Sequence, residues 1–271
     1  MSQELLKVQA VLIDLDGTVY FKGEPIRGAA EAIGELRRRG FRLLFLTNTD
    51  SQTPTELAQR LGSMGLAIAE NEIMTCVQAG LAYVKNKSGR AFCLLAKHLV
   101  AGFEALGRAK EPVQFVVVGD PRQTEGYEEL NTAFRHLMDG AELVALQKGR
   151  FFLTPDGPNL DTGAFVAMLE YAAGRDATVI GKPAAAFFRA ALDQVGVDHE
   201  QAVMVGDDIH TDIAGAAGMG MPSILVRTGK FSYQPLPVEG PQPTCVIDSI
   251  ADLPHVVCLP GELSSRESEC D

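Results

Sequence analysis

The stretch Ala10-Val-Leu-Ile13-Asp14-Leu15-Asp16-Gly17-Thr18 decides how the chain folds. It begins with a continuous apolar run, which is typical of a strand buried on both faces of a parallel sheet. If the strand continues through Asp16, its alternation places Asp14 and Asp16 on one side and Leu15 on the other. Gly17 then permits a sharp turn. The alternative interpretation is an ordinary turn after a strand, where aspartate and glycine are common.

Short apolar runs alternate with helical patterns along both ends of the chain. Residues 41–46, 178–180, 202–205 and 223–226 are predicted strands. The tetrapeptide Thr53-Pro54-Thr55-Glu56 is a capping box that starts a helix. Strands that alternate with helices predict a parallel sheet covered by helices. We therefore expect an α/β fold with a doubly wound, Rossmann-like parallel-sheet core.

The middle of the chain, residues 79–179, forms a separate block with its own predicted strands and helices. A block of about 100 residues is long enough for an independent domain. The segments that flank it carry one shared set of polar residues. We therefore predict an inserted α/β cap domain at 79–179 and a core formed by 1–78 and 180–271, with a frayed tail at its end. The predicted elements of the cap are strands at 91–95, 115–118 and 151–153 and helices at 127–138 and 164–173.

The composition excludes several classes of protein. Hydrophobic residues make up 46% and charged residues 22% of the 271 residues, which is ordinary for a globular protein. The formal net charge of −11 disfavours nucleic acid and anionic lipid as partners. No apolar stretch is long enough to span a membrane and no signal peptide fits. The five cysteines are widely spaced, which predicts reduced thiols in a cytoplasmic protein.

Polar side chains follow three predicted strands at the point where each strand ends. Asp14 follows the first strand, Thr47 follows the second, and Asp207 and Asp208 follow the strand at 202–205. The carboxyl ends of parallel strands meet at one edge of a sheet, so we expect these side chains to share a crevice. Two carboxylates about 4 Å apart repel by roughly 4 kcal/mol at an effective dielectric constant near 20. Such a cluster needs a cation or bound protons.

The residue types at this edge favour a hard cation and a phosphate. Carboxylate oxygens without cysteine or paired histidine favour Mg²⁺ over Ca²⁺ when water and phosphate complete the coordination. Lys182 precedes Pro183, which predicts a helix start, and a positive charge there suits a phosphate. Thr47 and Asn48 add neutral donors. Together they indicate phosphoryl transfer, although a solvated loop lysine is the alternative for Lys182.

With these motifs in this order, the sequence resembles the haloacid dehalogenase superfamily of phosphatases. The large inserted block places it near the nagD-like and nitrophenylphosphatase branch. The matching motifs are Asp14-Leu15-Asp16-Gly17-Thr18-Val19, Leu46-Thr47-Asn48-Thr49, Gly181-Lys182-Pro183, and Gly206-Asp207-Asp208 with Asp212.

The resemblance implies a role for each of these residues. Asp14 attacks phosphorus and forms an aspartyl-phosphate, while Asp16 protonates the leaving oxygen and later deprotonates water. Asp14, the main-chain carbonyl of Asp16, and Asp207 hold Mg²⁺. Asp208 and Asp212 orient its waters, although capping of the next helix is the alternative for Asp208. The residues that bind the transferring phosphoryl group are Thr47, Asn48, Thr49 and Lys182.

We therefore predict a Mg²⁺-dependent phosphoric monoester hydrolase that acts on a small phosphorylated metabolite. Two alternatives stay open: a phospho-regulated module similar to receiver domains, and a non-catalytic small-phosphate-binding relative. A homodimer is an expectation from the resemblance alone. The substrate is left open, and the candidates for its recognition are Asp120, Arg122, Asp156 and Asp161.

Overall fold

The computed structural model describes residues 5, 7–108, 111–120, 122, 126–234 and 239–260. These residues divide into two compact units. The first unit takes its described residues from Met1–Thr47, Leu57–Met74 and Ala185–Asp271, and the second takes them from Asn48–Glu56 and Thr75–Ala184. The predicted domain division, with a cap at 79–179, stays a prediction. The predicted frayed tail lies outside the described residues.

The strands and helices are numbered here in chain order. The strands are β1 (Ala10–Asp14), β2 (Tyr20–Phe21), β3 (Glu24–Pro25), β4 (Arg42–Thr47), β5 (Ile73–Thr75), β6 (Arg90–Leu94), β7 (Val113–Val118), β8 (Glu142–Ala145), β9 (Phe151–Thr154), β10 (Gly157–Leu160), β11 (Thr178–Val179), β12 (Ala202–Gly206), β13 (Ser223–Val226) and β14 (Cys245–Ile247). The α-helices are α1 (Ala29–Arg38), α2 (Pro54–Ser63), α3 (Cys76–Lys87), α4 (Lys97–Glu104), α5 (Tyr127–Met138), α6 (Thr162–Ala173), α7 (Ala185–Val195), α8 (Ala214–Gly218) and α9 (Leu253–Val256).

The first unit is built on a six-stranded sheet with the order β14-β13-β12-β1-β4-β5. Strand β1 pairs in parallel with both β12 and β4, and all five of its residues are buried. This burial explains the continuous apolar run, because neither face of β1 meets solvent. The chain moves from β1 to β4 on one side and returns to β12 on the other. Such a reversal leaves a crevice at the carboxyl ends of the strands. The predicted α/β fold with a parallel-sheet core is confirmed.

Helix α2 shows how a local signal sets an element boundary. The Thr53 hydroxyl accepts the main-chain N–H of Glu56 at 3.3 Å, and the Glu56 carboxylate accepts the N–H of Thr53 at 2.7 Å. This reciprocal pair is the predicted capping box, and the helix begins at Pro54 as the sequence indicates. Further along α2, Leu57 and Leu61 are fully buried in the core of the first unit.

The second unit is built on a parallel four-stranded sheet with the order β11-β8-β7-β6. Strands β9 and β10 form a separate antiparallel hairpin. The helices predicted at 127–138 and 164–173 are present as α5 and α6. Helices α3 and α4 and strand β8 were not predicted. The apolar core of this unit packs against both faces of its sheet.

Three local predictions differ from the structure. The strand at 178–180 is predicted as part of the late core series, although the predicted cap bounds 79–179 already include Thr178–Val179; the structure pairs Thr178–Val179 with β8 in the second sheet. An apolar run predicts a strand and carries no information about its partner. Strand β1 ends at Asp14 and does not continue through Asp16, because Leu15 begins a turn in which its carbonyl accepts the N–H of Val19 at 2.8 Å. Helix α7 begins at Ala185, two residues after Pro183.

Two further observations bear on the sequence expectations. Cys76, Cys93, Cys245 and Cys258, the cysteines that the structure describes, are free thiols. Within the described part of the chain, no helix combines the length and the apolar character needed to cross a membrane.

Candidate active site

The turn after β1 brings the first motif against the fourth. Asp14 is buried at the end of β1, and its Oδ2 accepts the hydroxyl of Thr18 at 3.3 Å. Gly17 has a φ of +95°, and a Cβ at this position would overlap the carboxylate of Asp207. Glycine is therefore required twice over, for the backbone conformation and for the close approach of Asp207.

Three carboxylates of the first unit meet at this place. Asp14, Asp207 and Asp212, called the acidic cluster below, each offer one oxygen, and the three oxygens lie within 4.8 Å of one another. All three residues are buried. Burial, and then the charges of Asp14 and Asp212, raise the pKa of Asp207 well above its ordinary value. Buried, mutually repelling carboxylate oxygens are the donor set that fits a hard divalent cation such as Mg²⁺.

Asp212 reaches the cluster through an unusual turn after β12. Residues Ile209–Ile213 form one turn of π-helix, a geometry that is frequent at functional sites. The Asp212 carboxylate accepts the main-chain N–H of Asp208 at 3.2 Å. A Cβ on Gly206 would overlap the Asp212 carboxylate, so the glycine of the fourth motif makes room for it.

Asp208 is not a member of the acidic cluster. Its Oδ1 accepts the N–H of His210 at 2.9 Å, which caps the following turn, and its Oδ2 accepts the ammonium of Lys230 at 3.0 Å. Burial acts to raise the pKa of Asp208, but the Lys230 charge and the hydrogen bonds outweigh burial and lower it. Asp208 therefore caps the following turn, and its predicted role in orienting waters stays a prediction.

Asp16 and Thr47 flank the cluster in different ways. Asp16 is exposed in the turn after β1 and lies outside the group formed by Asp14, Asp207 and Asp212. An exposed carboxyl can exchange protons with water, as an acid or base requires. Thr47 ends β4 and is 2% exposed. It follows Leu46, which lies opposite Asp14 in the parallel pairing, so Thr47 lies at the same edge of the sheet.

In the second unit, Asn48 and Lys182 are joined by two hydrogen bonds. The Asn48 Oδ1 accepts the main-chain N–H of Lys182 at 2.9 Å, and its Nδ2 donates to the Lys182 carbonyl at 2.9 Å. Gly181 lies so close that a Cβ would overlap the Asn48 amide. Asn48 therefore fixes the main chain of Lys182. The neighbouring Thr49 carbonyl accepts the thiol of Cys76 at 3.5 Å.

The sequence-based predictions missed the segment that follows β13. The Thr228 hydroxyl donates to the Gly17 carbonyl at 2.5 Å, and the main-chain N–H of Lys230 donates to Asp207 Oδ2 at 2.6 Å. The rule that identified Asp14 and Asp207 applies here too, because Thr228-Gly229-Lys230 comes just after the carboxyl end of a predicted strand.

A second missed feature lies in the second unit and is called the Asp50 network. Asp50 Oδ2 accepts the Thr162 hydroxyl at 2.6 Å and the Gln147 amide at 3.2 Å. The same amide donates to Asp161 at 2.6 Å. Burial, and then the charge of Asp161, raise the pKa of Asp50 to about 7.

Nearby, Asp120 accepts two bonds from the Arg122 guanidinium, at 2.8 and 2.5 Å. Of the predicted recognition residues, Asp156 is exposed in the turn that joins β9 and β10.

Comparison with known sequences places the chain in one family. A family model described as haloacid dehalogenase-like hydrolase matches residues 11–109, and one described as HAD-hydrolase-like matches residues 179–253. Human haloacid dehalogenase-like hydrolase domain-containing protein 2 is 37% identical over 250 residues, which cover 92% of this chain and 95% of that protein. Phospholysine phosphohistidine inorganic pyrophosphate phosphatase of Xenopus laevis is 36% identical over 244 residues, covering 88% and 89%.

Solved structures agree with the sequence relatives. The 4-nitrophenylphosphatase of Thermotoga maritima superposes with a TM-score of 0.84 at 27% identity, covering 94% of this chain and all of that one, 100%. Glycerol phosphate phosphatase of Mycobacterium tuberculosis, solved in complex with magnesium, has a TM-score of 0.80 at 29% identity and covers 93% of this chain and 78% of that one. The chain therefore belongs to the haloacid dehalogenase-like hydrolase family.

Proposed function

We propose that this protein is a Mg²⁺-dependent phosphatase that hydrolyses small phosphate esters through an aspartyl-phosphate on Asp14. The observation that carries the proposal is the acidic cluster, with three buried carboxylate oxygens within 4.8 Å of one another. The relatives support it, because they include a 4-nitrophenylphosphatase and a glycerol phosphate phosphatase solved with magnesium. A small phosphorylated metabolite is the proposed substrate and the cytoplasm the proposed location, in line with the composition.

The residues proposed to hold Mg²⁺ are Asp14, Asp207 and the main-chain carbonyl of Asp16, with Asp212 beside them. The bound ion neutralises the clustered carboxylates and the charge of the phosphoryl oxygens. The oxygen donors, their burial and their mutual repulsion fit this ion. Because Asp208 is already paired with Lys230, we propose that it supports the site without binding the ion directly.

In the first step, a carboxylate oxygen of Asp14 forms a bond to phosphorus, and the bond from phosphorus to the leaving oxygen breaks. Asp16 donates its proton to that oxygen. In the second step Asp16 removes a proton from water, and the water oxygen attacks phosphorus and breaks its bond to Asp14. The products are the alcohol and inorganic phosphate, and both aspartates return to their starting state. The residues proposed to bind the phosphoryl oxygens are Thr47, Asn48, Thr49 and Lys182.

The test is phosphate release from p-nitrophenyl phosphate and a panel of phosphorylated metabolites, with Mg²⁺ and with a chelator. Wild type is expected to turn over substrate only with Mg²⁺. Asp16→Asn is expected to slow turnover by about 10²- to 10⁴-fold. Nitrophenolate leaves without a proton, so the first step survives in this variant and the protein should gain the mass of one phosphoryl group.

Other results separate the alternatives. Stable phosphorylation of the wild-type protein without release of phosphate would favour the phospho-regulated module. Absence of turnover on the whole panel, with ligand binding that does not need Mg²⁺, would favour a non-catalytic phosphate-binding protein.

A further inference from the structure

The segment from Thr228 to Gln234 is bonded to both acidic motifs of the first unit. Its Thr228 hydroxyl donates to the Gly17 carbonyl, and its Gln234 Oε1 accepts the main-chain N–H of Ile209 at 3.1 Å. Gly229 has a φ of +61°, and a Cβ there would overlap the Asp207 carboxylate. The segment is therefore packed directly against the residues that we assign to the metal site, and nothing assigned above gives it a role.

Lys230 makes two contacts with two adjacent aspartates. Its main-chain N–H donates to Asp207 Oδ2 at 2.6 Å, and its side-chain ammonium donates to Asp208 Oδ2 at 3.0 Å. The first contact occupies one Asp207 oxygen and sets the orientation of the other. The second contact anchors the residue that makes the first. Lys230 therefore binds Asp207 through its main chain and Asp208 through its side-chain charge.

The pairing of Asp208 is needed because that carboxylate is buried. The side chain of Asp208 is 8% exposed, and that of Lys230 is 23% exposed. A buried carboxylate is strongly destabilising when its partner is removed. Without Lys230, Asp208 would keep its bonds to the His210 N–H and to Gln234, but it would be a buried anion without a charged partner, adjacent in sequence to Asp207 of the acidic cluster.

We propose that Lys230 is a positioning residue of the metal site, which removes Asp208 from the acidic cluster and holds Asp207 in the orientation that binds the ion. This inference rests on the proposed function for the identity of the ion, Mg²⁺. It adds a residue that lies outside all four motifs found in the sequence.

The proposal predicts a change in Mg²⁺ affinity that is opposite in sign to the change expected from simple electrostatics. Removing a positive charge beside carboxylates should by itself strengthen Mg²⁺ binding. If Lys230 positions the site, Lys230→Met weakens Mg²⁺ binding at least tenfold, because Asp208 loses its partner and the segment loses its anchor. Calorimetric titration of the full chain with Mg²⁺, without substrate, measures this directly.

Three further variants complete the experiment. Lys230→Arg keeps the charge and should bind Mg²⁺ within threefold of wild type. The double variant Asp208→Asn/Lys230→Met removes both charges and should recover most of the lost affinity. It also keeps the test decisive if Lys230→Met alone fails to fold. Arg227→Met is the matched control, because Arg227 lies in the same stretch but pairs on the surface with Asp248 at 2.7 Å.

Equal or tighter Mg²⁺ binding by Lys230→Met overturns the inference and leaves the phosphatase proposal intact. The inference is also overturned if Asp208→Asn/Lys230→Met binds Mg²⁺ no better than a folded Lys230→Met protein does. Mg²⁺ binding that follows the expected order, in a protein that hydrolyses no phosphate ester, supports the inference and overturns the proposed function.

Discussion

Both units of this protein bury aspartates, but the groups that lie between the carboxylates differ. In the acidic cluster, Asp14, Asp207 and Asp212 turn oxygens toward one another. In the Asp50 network, the oxygens of Asp50 and Asp161 receive hydrogen bonds from Gln147 and Thr162. In the Asp50 network the shared Gln147 amide donates to both Asp50 and Asp161. Carboxylates that face one another need a cation or bound protons. The distribution of donors, more than the number of aspartates, distinguishes a metal site from a structural network.

Glycines also lie against the carboxylates of the acidic cluster. Gly17, Gly206 and Gly229 each lie where a Cβ would overlap a carboxylate of Asp207 or Asp212. Glycine therefore lets three separate segments of the main chain pack directly against these two carboxylates.

The largest expected effect comes from removing the nucleophile of the acidic cluster. Asp14→Asn should reduce hydrolysis of p-nitrophenyl phosphate below detection, because an amide cannot form the aspartyl-phosphate. The same change removes one of three repelling charges, so the melting temperature in chelator should stay equal or rise. Loss of folding, measured by circular dichroism, would contradict this account of the cluster. Measurable turnover with a rate near that of wild type would contradict the assignment of Asp14.

The next effect concerns Asp50, whose pKa is about 7 in the folded protein against an ordinary value of 3.8. Between these values the folded state binds more protons than the unfolded state. The free energy of unfolding should therefore fall between about pH 4 and about pH 7, by up to about 4 kcal/mol from this residue alone. Asp50→Asn should flatten that slope in urea unfolding measured with chelator. The exposed Asp156→Asn is the matched control, and an unchanged slope in Asp50→Asn would refute the assignment.

Mg²⁺ should stabilise the protein through the acidic cluster and not through the Asp50 network. At a hundredfold excess over its dissociation constant, Mg²⁺ should raise the free energy of unfolding by about 2.7 kcal/mol. Asp207→Asn should abolish this shift, whereas Asp161→Asn should keep it. Thermal unfolding with Mg²⁺ and with chelator measures both. A shift lost in Asp161→Asn and kept in Asp207→Asn would reverse the comparison between the two regions.

The smallest effect tests the donors of the Asp50 network. Thr162→Val keeps the shape of the side chain and removes the hydroxyl that donates to Asp50 at 2.6 Å. The free energy of unfolding should fall by about 1.5–3 kcal/mol at a pH where Asp50 is ionised, and by less where Asp50 is protonated. Thr132→Val is the control, because that exposed hydroxyl donates to the main-chain carbonyl of Glu128 in its own helix at 2.8 Å. Equal losses for the two variants would show that Asp50 gains nothing from Thr162.

The sequence predicted the elements that depend on near neighbours. The apolar run of β1, the capping box of Thr53 and Glu56, and the helix Tyr127–Met138 all depend on residues within a few positions of one another. The strand-end rule also located Asp14 and Asp207, because any parallel sheet brings those ends to one edge. The same rule applies to Thr228–Lys230, which went unrecognised because a threonine and a lysine after a strand are common in loops.

What the sequence by itself determined is the family, the α/β fold and the order of the motifs along the chain. Only the tertiary structure decided which acidic residues share the cluster and that Asp208 pairs with Lys230. The physical reason is distance along the chain. The hydrogen bond from Thr228 to Gly17 joins residues 211 positions apart, and no local pattern specifies such a partner. Hydrophobic periodicity indicates which face of an element is buried, whereas tertiary packing determines which residues lie against that face.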